Sequence, residues 1–63
     1  MPNPDLVLRF SEKMVEAKER AEMAVTYVHL GDLPNASRCY RETAELIDIA
    51  NVLKEQYVKE QGH

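Results

Sequence analysis

Apolar residues recur along the first half of the chain at alternating steps of three and four: Val7, Phe10, Met14, Ala17, Ala21, Ala24 and Val28. That spacing is the heptad-like seam of an amphipathic helix. The second half answers with Ala36, Cys39, Thr43, Leu46, Ala50, Leu53 and Tyr57 at the same spacing. Between the two lies Leu30-Gly31-Asp32, and no Gly or Pro interrupts the run from Asp5 to Leu30. The pattern predicts an all-α chain, one unit over residues 1–63, with a helix from about 4 to 30, a turn at 31–32 and a helix from about 33 to 60.

The ends of both helices carry their own signals. Asn3 is a good N-cap, Pro4 suits the first helical position, and Asp5 lies where the helix dipole favours a negative charge. Gly31 supplies the permissive backbone of a helix C-terminus, and Asp32 can cap the second helix with Pro34 tolerated in its first turn. Two helices of equal length joined by a tight turn fold back as an antiparallel hairpin.

The seams do not use up the apolar residues. Met23, Tyr27 and Leu30 form a further stripe on the first helix, and Ile49 and Val52 do the same on the second. Two helices offer each other one face only, so these five residues are read as an intermolecular interface. Size points the same way, because a 63-residue chain has little core to offset the entropy of folding. A lone cysteine, Cys39, rules out an intrachain disulfide as the missing support. The expectation is a homo-oligomer, in the first place a dimer forming an antiparallel four-helix bundle.

Composition narrows the partner. Eight basic and eleven acidic residues leave a net charge of -3, with both signs interleaved, which disfavours a phosphate backbone as partner. No stretch approaches the length of a membrane span and no apolar run of signal-peptide type opens the chain, so a cytoplasmic location without membrane contact is expected.

The run Tyr27-Val28-His29-Leu30-Gly31-Asp32-Leu33-Pro34-Asn35-Ala36, followed by Tyr40 and Thr43-Ala44, resembles one tetratricopeptide repeat. Met23, Ala24, Tyr27, Leu30, Gly31, Asp32, Ala36 and Tyr40 occupy that family's positions. Arg20 stands where the family prefers a large aromatic, and Asp48 replaces its closing proline, so the second helix continues past the point where the repeat would end. The microtubule-interacting and trafficking domain has a similar turn, but it has three helices and this chain has room for two. The resemblance implies a helix-turn-helix interaction module, and it carries no catalytic residues.

Candidate chemistry is thin. His29 and Cys39 are the one pair suggestive of nucleophilic catalysis, and the fold at Gly31 sets Cys39 opposite Ala24, away from His29. Glu12, Glu16 and Glu19 share a side of the first helix as solvated charge, with Glu16 and Arg20 at a favourable spacing. Arg38 and Arg41 are the candidate contact for structured RNA or an acidic peptide, each with Glu42 or Glu45 four residues on. Tyr27, Tyr40 and Tyr57 are read as packing groups with a hydroxyl at the rim. No catalytic, metal-binding or cofactor-binding residue is expected. The function expected is non-enzymatic: an adaptor, assembly factor or chaperone-like subunit that binds a helical protein partner. The alternative is a hairpin regulator that binds structured RNA, a partner the acidic balance disfavours.

Overall fold

The computed structural model describes residues 3–62; Met1, Pro2 and His63, the outermost positions of the 1–63 unit, lie outside them. Helix α1 spans Pro4–His29 and helix α2 spans Leu33–Gln61. They pack against each other as a hairpin whose Cα trace measures 48 × 14 × 10 Å. That is one helix long, two helices wide and one layer thick.

Each helix starts where the sequence places its cap. The Asn3 side chain accepts from the Asp5 and Leu6 amides at 3.0 and 3.4 Å, satisfying donors that have no partner inside the helix. At the other end of α1 the Asp32 amide donates to the Tyr27 carbonyl at 2.9 Å and the Gly31 amide to the Val28 carbonyl at 3.0 Å. This paired closure is a Schellman motif, and it needs the left-handed φ of +74° that Gly31 adopts. Asp32 then opens α2, its carboxylate accepting from the Asn35 amide at 3.2 Å and from the Asn35 side chain at 2.6 Å. One helix therefore ends and the next begins within Leu30-Gly31-Asp32.

Two polar contacts at the surface cross the hairpin. Asn3 Nδ2 donates to Glu60 Oε1 at 3.3 Å near the open end, and Arg20 Nε lies 3.8 Å from Glu42 Oε1 towards the turn. Among the described residues the buried side chains are few and mostly small: Leu6, Ala17, Ala36, Cys39, Ala50 and Leu53. Alanines at the contact let the backbones come close but bury little area each, so Leu6 and Leu53, with the half-buried Phe10, Tyr27, Leu46 and Tyr57, supply the larger apolar side chains of the seam.

On α2 the seam runs as the spacing predicts, with Ala36, Cys39, Ala50 and Leu53 buried and Thr43, Leu46 and Tyr57 half-buried. On α1 it is turned. Phe10, Ala17 and Ala24 face the partner helix as expected, but their companions are Leu6, Lys13 and Tyr27 instead of Val7, Met14, Ala21 and Val28, which are exposed. Arg20 completes the same row with an exposed head. The physical reason is the length of these two basic side chains. Lys13 lies half-buried along the seam and Arg20 reaches across it to Glu42, so long stems occupy this row while the charges stay wet. A count of apolar letters misses those stems.

Candidate interaction faces

The turned seam gives the hairpin two unlike sides. On the first, α1 presents Val7, Met14, Ala21 and Val28, with Val25 just beyond them. Alongside, α2 presents Leu33, Tyr40 and Ile47, with Ala44 and Val58 in the neighbouring row. All of these are exposed; Val28 keeps 52%, Tyr40 71% and Ile47 42% of its surface. Shallow apolar grooves mark both ends of this side. Leu6, Val7, Phe10, Leu53, Lys54 and Tyr57 line the groove at the open end, while Val25, Val28, Leu33, Ala36 and Tyr40 line the one near the turn.

Charge sharpens the contrast. Helical spacing places Val7, Met14, Ala21 and Val28 in one row and Ser11, Lys18 and Val25 in the next; on α2 the matching rows hold Leu33, Tyr40, Ile47 and Lys54, then Ser37, Ala44, Asn51 and Val58. None of the eleven acidic residues falls in these four rows. Lys18 and Lys54 are their only charges.

The opposite side is a charged groove. Glu16, Glu19, Arg20, Glu42, Glu45, Leu46 and Ile49 line it, and the Arg20–Glu42 contact crosses it. Arg20 also points Nη1 at the Met23 sulfur at 3.3 Å. Its partner is thus across the hairpin, not Glu16 on its own helix; Glu16 instead meets Lys13 at 3.4 Å.

The five residues read from the sequence as an interface fall on this charged side or behind it, and they do not form one stripe. Met23, Tyr27 and Leu30 come together with Thr26 near the turn. Tyr27 is half-buried in the hairpin seam, while Leu30, in the turn itself, is 73% exposed. Ile49 sits in the charged groove, seven residues further from the turn than Glu42, or about 10 Å along the helix. Val52 is exposed beyond it. Glu16, Glu19, Arg20, Glu42 and Glu45 separate the two groups. The residues that sequence reasoning missed are those of the acid-free side, and the signal for them was present: four neighbouring rows avoid every carboxylate.

The chemistry-bearing groups are placed as follows. Cys39 is fully buried at 0% exposure, and Thr43 Oγ1 donates to its backbone carbonyl at 2.9 Å. His29 is exposed at the rim of the turn-end groove. Arg38 and Arg41 are exposed on the outer surface of α2. Among the described residues no group of three or more His, Cys, Asp or Glu is able to hold a metal ion, and no helix is long and apolar enough to cross a membrane.

No protein-family model matches this chain, no curated protein is detectably similar to it in sequence, and no solved structure matches it. The likeness to a tetratricopeptide repeat accordingly rests on the residues around Gly31 alone.

Proposed function

We propose that this chain is a non-enzymatic protein–protein interaction module, a cytoplasmic adaptor, assembly factor or chaperone-like subunit that pairs with itself and accepts a helical protein surface. The observation that carries the reading is the acid-free side, where Val7, Met14, Val25, Val28, Leu33, Tyr40 and Ile47 are all exposed on one flank of a single hairpin. An apolar surface of that continuity is costly to leave in water, and amphipathic helices laid on it cover it through residues at steps of three and four. The smaller apolar spot at Met23 and Leu30 gives the turn end a second place of contact.

A pull-down from native lysate on the immobilised chain, split into arms with and without nuclease and at low and high salt, tests the reading. A helical protein partner stays bound in all arms, because apolar burial is little screened by salt. A structured RNA held by Arg38 and Arg41 is lost with nuclease and falls steeply with salt, and that result replaces the proposal by the RNA-regulator alternative.

A further inference from the structure

A folded globular monomer of 7.2 kDa exposes about 4,100 Å² by the size scaling of folded proteins. This chain exposes 4909 Å². The excess of about 800 Å² equals what one partner contributes to a standard specific interface. We infer that the acid-free side is covered by a second copy of this chain, packed face to face as an isologous four-helix bundle. The inference rests on the interaction-module reading and names the module's first partner.

Shape selects the occupant. The side to be covered is 48 Å long and two helices wide. One helix laid along it leaves half of the width wet, whereas a second hairpin has both the length and the width. Two copies that each bury that excess hide about 1,600 Å² between them, the size of a standard specific interface. Charge selects the side. Pairing through the opposite groove would press Glu16, Glu42 and Glu45 against their own copies, and desolvated like charges oppose association. Pairing through Met14, Ala21, Tyr40 and Ile47 buries no carboxylate, and Lys18 lies on an outer row from which its long stem carries the ammonium to water. Large Met14, Tyr40 and Ile47 beside small Ala21 and Ala44 give the face both protrusions and hollows, as a self-complementary surface needs.

Sedimentation equilibrium on the full chain decides it, with three proteins compared over a roughly hundredfold dilution series. The parent is expected to be dimeric. Met14→Glu/Ile47→Glu puts charge on the acid-free side and is expected to weaken the dimer by about 100-fold or more. Ile49→Glu/Val52→Glu puts the same charge on the other side and is expected to leave the dimer intact. Because the first variant can lose helicity on becoming monomeric, the parent alone supplies an independent readout: its far-UV circular dichroism falls on dilution together with its mass. A parent dimer that survives Met14→Glu/Ile47→Glu, or that is lost in Ile49→Glu/Val52→Glu alone, overturns the assignment of the face. A parent that is monomeric throughout overturns self-pairing. In that case, lysate partners lost by the Met14→Glu/Ile47→Glu variant leave the module reading standing, and partners retained by it remove that reading as well.

Discussion

Gly31 adopts φ +74° between two helices that end and begin within three residues, and a Cβ placed there meets nothing within 4 Å. Space is therefore not the constraint; backbone conformation is. The left-handed region brings Cβ of an L-residue too near the following carbonyl oxygen, at a cost of about 1–2 kcal/mol, while Asn tolerates it better through local hydrogen bonding. Gly31→Ala is expected to lower stability by about 1 kcal/mol, and Gly31→Asn by less. Chemical denaturation of both variants at one protein concentration, followed by circular dichroism, checks the order. If Gly31→Ala matches the parent, the Schellman closure through the Tyr27 and Val28 carbonyls does not set the turn.

At the scale of the helices, phase matters more than content. Existence and ends were legible because capping is local: Asn3 with Pro4, Gly31 and Asp32 each act within one turn of their own position. The α2 seam was legible from Cys39, Leu46 and Leu53 alternating with Ala36, Ala50 and Tyr57 at steps of three and four. On α1 two row pairs compete around Phe10, Ala17 and Ala24, and the one richer in apolar letters is the one left exposed. What tips the helix is not in those letters. Leu6 and Tyr27 are larger than Val7 and Val28, and Lys13 and Arg20 occupy the row between them with long stems that carry their charges to water. The interface reading depends on that phase: with the seam turned, the residues left exposed on α1 include Val7, Met14, Ala21 and Val28 beside Met23 and Leu30. Phase has a direct test. Ala17 is buried at the helix contact, so Ala17→Glu forces a charge and extra volume between close backbones and is expected to abolish the hairpin fold. Ala21, one turn on, is exposed, so Ala21→Glu is expected to keep the hairpin and impair only what docks on the acid-free side. Helicity at high protein concentration separates the two variants. Equal loss in both would return Ala21 to the seam.

For the molecule as a whole, the question is where cooperativity comes from. Among the described residues six buried side chains, of which four are alanine or cysteine, make a thin core for two helices of 26 and 29 residues. Isolated helices of such length are held mainly by packing of their apolar face, and here that face is split between the hairpin seam and the acid-free side. If the second half of the face is covered by another chain, unfolding and dissociation become one event, and stability must depend on protein concentration. A tenfold rise in concentration then adds about 1.4 kcal/mol to the folded state. For a unit of two such chains the thermal midpoint is expected to climb by about 5 °C per tenfold. Calorimetry beside circular dichroism, over two decades of concentration, measures the slope directly. A midpoint that climbs in this way while both probes coincide identifies the pair of hairpins as the folding unit. A midpoint independent of concentration assigns the cooperativity to the single hairpin. Leu6, Leu53 and the alanines would then suffice alone, and the exposed side would be free for a foreign helix from the start.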